Sequence, residues 1–168
     1  SAGAALVPAS SLKALAIPAN NRTGTIRDGE HVVILMQENR SFDHYFSKLS
    51  HGGVRVAPAD VTNPDRNGNP VARFHLGTYC VDDPSHGWPA SHTQNHDGKN
   101  DGFVVGNSGV GERALGYYDE SDLPYYYALA RTFALSDAHF ASVMGPTQPN
   151  RLYYYAGTSF GTIANTIP

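Results

Sequence analysis

One continuous run of apolar and β-branched residues, Val32-Val33-Ile34-Leu35-Met36 after His31, stands apart from a chain with little other strong periodicity. Such a run predicts a strand over residues 31–36 that is buried on both faces, and therefore parallel and central in a sheet. It ends in Gln37-Glu38-Asn39-Arg40, so polar groups are delivered at the carboxyl end of the strand, where open α/β sheets bind ligands. Ser41 then caps a helix predicted over 42–49. Residues 71–76 alternate enough for a short strand, after a turn-rich insertion from Asn63 to Pro70. Between 81 and 102 the chain is dense in Asp, His, Asn and Gly, which reads as an exposed loop or as the polar lining of a site. A helix is predicted over 123–134, with Pro124 in its first turn and Tyr126, Leu129, Ala130 and Phe133 on one face. A second core strand follows over 133–140. The turn Gly145-Pro146-Thr147 then leads into a helix over 150–156. Residues 1–29, small and polar, read as an arm.

Composition narrows the possibilities. The 168 residues suffice for one domain with a core, and 17 Gly and 11 Pro point to a loop-rich α/β chain rather than a helix bundle. Only 16% of residues are charged and the net charge is -3, which excludes a polybasic nucleic-acid binder. No apolar stretch is long enough to span a membrane. The one cysteine, Cys80, rules out an internal disulfide and a CxxC metal site. It suits the cytoplasm or an exported protein that does without disulfides. The opening Ser1-Ala2-Gly3-Ala4-Ala5 fits a mature end after signal cleavage and equally an artificial start. The location expected is secreted or periplasmic.

Two turns carry candidate chemistry. Thr147 stands between Pro146 and Pro149 at a helix start, where unpaired N–H groups and the dipole favour an anion. Arg151, four residues on, shares its face and offers a guanidinium fork to phosphate oxygens. The plainer alternative is an N-cap and a surface charge. Glu38 and Asn39 are hard oxygen donors suited to a divalent cation, and an oxygen nucleophile such as Thr147 at that cation would be activated. His86, His92 and His96 lie among Asp82, Asp83, Asp97, Lys99 and Asp101. His92 and His96 have helical zinc spacing, but Gly98 and the polar company argue against a helix there. A phosphate or acid contact from one of these histidines, and simple surface polarity, are the alternatives. Tyr125-Tyr126-Tyr127 and Tyr153-Tyr154-Tyr155 read as packing.

Three blocks resemble the phosphoesterase family of bacterial phospholipases C and acid phosphatases, which also includes plant non-specific phospholipases C. They are Met36-Gln37-Glu38-Asn39-Arg40-Ser41-Phe42-Asp43-His44-Tyr45-Phe46; Asp82-Asp83-Pro84-Ser85-His86-Gly87-Trp88 with Gly98-Lys99-Asn100-Asp101-Gly102-Phe103; and Gly145-Pro146-Thr147-Gln148-Pro149-Asn150-Arg151-Leu152-Tyr153. The resemblance implies an alkaline-phosphatase-like fold, a central mixed sheet flanked by helices. It also implies a covalent mechanism in which Thr147 attacks phosphorus and forms a phospho-threonine. Glu38, Asn39 and Thr147 would hold a divalent metal ion of unspecified identity. His86 would contact the phosphate or protonate the leaving oxygen, and Arg151, His92 and Lys99 would bind substrate. Asn95-His96 depart from the aromatic-Asn pair common in the family.

Family members run to several hundred residues, and their C-terminal part supplies an acidic pair to the metal. Residues 30–168 are therefore expected to be the N-terminal portion of a phosphoesterase domain, completed by a C-terminal polypeptide of the same precursor. The substrate is expected to be a phosphate ester, either a phospholipid or a phosphomonoester. An inactive fragment with a binding or structural role is the alternative from a different class.

Overall fold

A computed structural model describes residues 9–38, 40–107 and 109–166. It is a mixed α/β arrangement of short elements: α1 (Ala9–Leu15), α2 (Phe42–Phe46), β1 (Thr62–Pro64), β2 (Pro70–Ala72), β3 (Phe74–His75), α3 (Trp88–Asn95), β4 (Gly116–Tyr117), α4 (Pro124–Thr132) and α5 (Thr147–Ala156).

The main core lies between α2 and α4. Phe42 and Phe46, one helical turn apart, both turn inward after the Ser41 cap, whose hydroxyl accepts the His44 N–H. Tyr127, only 1% exposed, packs with Leu49 and Ala130, and Phe46, Val54, Leu123 and Leu135 close around them. The buried face of α4 is thus Tyr127, Ala128 and Ala130; of the expected Tyr126, Leu129, Ala130 and Phe133 face, Ala130 is buried while Tyr126 and Leu129 are only half-buried. Phe133 is half exposed. The tyrosine triplets divide, Tyr127 serving as core while Tyr154 and Tyr155 are exposed.

The sheets are two pairs of short strands. β1 and β2 form an antiparallel hairpin with Asn63 opposite Val71. Asp65 accepts the Asn67 and Asn69 N–H groups at its turn, and Gly68 supplies the positive φ. The predicted strand over 71–76 is split between β2 and β3. β3 pairs in parallel with β4, and Tyr118 N–H continues onto the His44 carbonyl of α2. Gly116 is required there, because a Cβ would lie 2.7 Å from Leu76 Cγ.

Two expected core strands are not strands. Residues 31–36 form no regular element and pair with no strand among the described residues, with Val32 82% and Val33 90% exposed. Residues 133–140 likewise join no sheet, and Phe140 is exposed. An apolar run becomes a buried strand only when neighbouring strands take up its N–H and C=O groups, and no described segment does so here. The central mixed sheet is accordingly absent among the described residues.

The polar stretch after residue 80 is more ordered than its composition implied. It contains α3, which starts at Trp88 behind Pro89 in its first turn and ends at His96 in a left-handed cap. Buried Asn107 accepts Ser85 N–H and donates to the Phe103 carbonyl, while buried Asn63 accepts Phe103 N–H. Amide side chains do here what strand ladders do elsewhere, pairing buried backbone groups.

Candidate active site

Helix α5 begins at Thr147 because Pro146 before it is extended, and it ends at Gly157 in the left-handed region. Pro149 is buried in its first turn, where its missing N–H is tolerated. Thr147 therefore opens the helix and Arg151 follows one turn later. Arg151 reaches Glu38, the residue delivered at the end of the 31–36 run, and Thr147 lines the same cavity. The Arg151 guanidinium pairs with the Glu38 carboxylate, and the nearby Thr147 hydroxyl favours its ionised form. Arg151 and then Thr147 hold the Glu38 carboxyl below the usual carboxylate range, so it is ionised at neutral pH. Glu38 in turn favours the charged form of Arg151. Coulomb attraction at this half-exposed position is screened, so the pair fixes geometry more than it adds stability.

These three residues line a cavity of about 300 Å³ together with His139, Asn150 and Tyr154. A cleft of about 960 Å³ shares Glu38, His139 and Phe140 with it and runs past Tyr45, Tyr126 and the Arg55–Asp137 ion pair. His139 was not singled out in the sequence, because it lies in the segment read as a core strand. Spacing alone carried no signal for it.

The remaining candidates lie elsewhere. His86 is exposed, with Nδ1 2.9 Å from the Pro84 carbonyl and 3.5 Å from Asp83. It lines a separate hollow of about 260 Å³ with Arg40, His44, Gln94 and Arg113. His92 is on a helix after all, donating to the Trp88 carbonyl at 2.8 Å and stacking on the Trp88 ring. A Cβ on Gly145 would lie 3.4 Å from that ring, so the start of α3 abuts the turn that carries Thr147. His92 itself does not line the Thr147 cavity. His96 is paired with Asp101 at 2.5 Å rather than with His92. Lys99 is exposed in the following turn, its N–H donating to the His96 carbonyl. Asn39 lies outside the described residues.

Glu38 and Thr147 present hard oxygen donors to one cavity, and the carboxylate is ionised; this donor chemistry fits a divalent cation. Elsewhere, His75, Asp119 and Asp122 bring their ligand atoms within 4.8 Å of one another. There His75 Nε2 donates to Asp122 at 2.7 Å, and Asp122 also accepts the Asp119 N–H. That trio braces β3 against the turn before α4.

The chain belongs to the Phosphoesterase family, whose model matches residues 29–167. It is 42% identical over 166 residues to the hemolytic phospholipase C of Pseudomonas aeruginosa, covering 90% of this chain and 22% of that protein. Against the non-hemolytic phospholipase C of Burkholderia pseudomallei it is 39% identical, covering 93% of this chain and 24% of the relative. Phospholipase C B of Mycobacterium tuberculosis is 38% identical, with 78% and 30% covered. The chain thus spans less than a third of the length of these relatives.

Proposed function

We propose that the chain carries the nucleophile and part of the metal site of a phosphoric ester hydrolase of the phospholipase C type. The observation that carries this reading is the gathering of Thr147, at the start of α5, with Arg151 and an ionised Glu38 carboxylate around one cavity. In the reaction, Thr147 Oγ1 bonds to phosphorus as the bond from phosphorus to the leaving alcohol oxygen breaks. The hydroxyl proton passes to the nearby Glu38 carboxylate, and water later releases the phosphoryl group from Thr147. Arg151 offers N–H donors to the phosphate oxygens, and the first turn of α5 favours their charge. A divalent cation held by Glu38, Asn39 and Thr147 would supply Lewis acidity that lowers the hydroxyl pKa. His86 is kept for the phosphate or the leaving oxygen. Its hollow meets the large cleft at Arg40 and Ser41, and that cleft shares Glu38 with the Thr147 cavity, so an ester lying along it would reach both. His92 and Lys99 then serve the outer part of the substrate.

The names of the relatives favour a phospholipid diester over the monoester of an acid phosphatase. In the same reading, residues 31–36 become a central strand of an alkaline-phosphatase-like sheet when a C-terminal polypeptide of the same precursor docks. Their exposed apolar side chains and the larger size of the relatives support this. The active protein is placed outside the cytoplasm, secreted or periplasmic. The test compares phosphate release from p-nitrophenyl phosphate with p-nitrophenol release from p-nitrophenylphosphorylcholine, followed by acid quench and peptide mapping. Faster diester cleavage is expected, with phosphorylcholine trapped on Thr147 from the diester and phosphate from the monoester. A phosphoryl group trapped on another residue overturns the nucleophile, and no hydrolysis of either ester supports an inactive binding fragment.

A further inference from the structure

Asn150 lies in the first turn of α5, three residues after Thr147, and is half-buried. Its Nδ2 sits 3.1 Å from the Val143 carbonyl, 3.2 Å from that of Gly145 and 3.1 Å from that of Pro146. Its Oδ1 accepts the Val143 N–H at 3.1 Å. One side-chain amide thus closes the whole turn that delivers Thr147. The two donors of Nδ2 are shared among three carbonyls, while the oxygen holds the N–H of the first residue. Pro146, lacking an N–H, cannot brace this turn by donating from its own backbone, and it makes no side-chain cap to the helix. An acceptor and two donors at this reach are what an asparagine offers. Aspartate keeps the acceptor and loses the donors, alanine loses both, and glutamine is one methylene too long.

We propose that Asn150 is a positioning residue, clamping the 143–146 turn so that Thr147 Oγ1 stays in the cavity it shares with Glu38 and in line with phosphorus. This rests on the assignment of Thr147 as nucleophile. Displacement of a nucleophile by about 1 Å lowers rates by roughly a hundredfold, which sets the expected scale. The experiment is rapid-quench measurement of phospho-threonine formation from p-nitrophenyl phosphate in the active enzyme containing this chain, comparing Asn150→Asp and Asn150→Ala with the unaltered protein. The expected result is a rate of Thr147 phosphorylation ten- to a hundredfold lower. KM should stay within about twofold, and the phospho-enzyme amplitude per folded protein should be preserved. A merely structural loss would lower the amplitude and leave the rate, and that outcome overturns the proposal. If Asn150→Ala does not fold, the near-isosteric Asn150→Asp decides, its folding checked by circular dichroism. An unchanged rate in a folded Asn150→Asp overturns positioning alone when Thr147→Ala is inactive. Full turnover in Thr147→Ala overturns the nucleophile assignment and the clamp together.

Discussion

Arg151 and Glu38, 113 residues apart in the chain, form an ion pair at the wall of the cavity that Thr147 also lines. The pair ties the end of an exposed segment to the first two turns of α5. It sets an anionic carboxylate and a guanidinium at the cavity that the candidate nucleophile Thr147 lines.

Glu38→Gln should therefore weaken both metal binding and turnover. The amide keeps a hydrogen-bond acceptor for Thr147 but loses the charge that attracts a cation and a proton. We expect divalent-metal affinity, measured by titration calorimetry, to fall at least about tenfold, and chelation to silence the unaltered enzyme reversibly. Unchanged affinity in Glu38→Gln would place the metal elsewhere, with His75, Asp119 and Asp122 as the next cluster to mutate.

Thr147→Ala should remove turnover by about three orders of magnitude or more, since no other oxygen nucleophile replaces it at the helix start. Thr147 lies at the cavity, outside the packed core around Tyr127, so the thermal midpoint should change little. Full activity in the variant would end the covalent scheme.

The α2–α4 core makes a separate prediction. Tyr127→Ala should lower stability by about 3–5 kcal/mol, because it empties the most enclosed aromatic position. Gly116→Ala should cost about 1–3 kcal/mol as the new methyl meets Leu76 across the β3–β4 pair. Chemical denaturation reads both, and a neutral Gly116→Ala would mean that Leu76 moves aside freely.

Acid should destabilise the fold through His44. Burial pushes its pKa down, against the opposing effect of the Gly116 carbonyl that accepts from Nδ1 at 2.8 Å. The sign follows from linkage. A histidine whose folded pKa is depressed leaves the unfolded chain binding more protons, so stability is present above about 6.5 and is lost as pH falls toward the folded value. Denaturation midpoints at pH 7.5 and 5.5 should differ less in His44→Gln than in the unaltered protein. An equal difference would assign the acid sensitivity to other groups.

Local chemistry was readable from the sequence wherever a few neighbouring residues decide it. Ser41 capping α2, the Pro146-Thr147 start of α5, the Pro124 start of α4 and the turn chemistry around Asp65 are all set by φ restriction and short-range hydrogen bonds. The same is true of the motifs that carry the family resemblance, since they lie within short blocks. Which apolar runs become strands was not decided locally. The 31–36 run is as apolar as a central strand, yet it stays exposed because a strand exists only through partners distant in sequence. The α4 face turned from Tyr126 to Tyr127 for a similar reason, because packing against Phe46 and Leu49 outweighs a shallow periodicity. α3 formed in a stretch with little to bury because Asn63 and Asn107 pair its flanking backbone from afar, while its own Gln94 donates to the Ser85 carbonyl before it. The family resemblance already joined Glu38 and Thr147, and helical spacing joined Arg151 to Thr147; the tertiary structure put all three at one cavity and His86 at another. Residue type sets what a side chain can do, and the path of the backbone sets what it can reach.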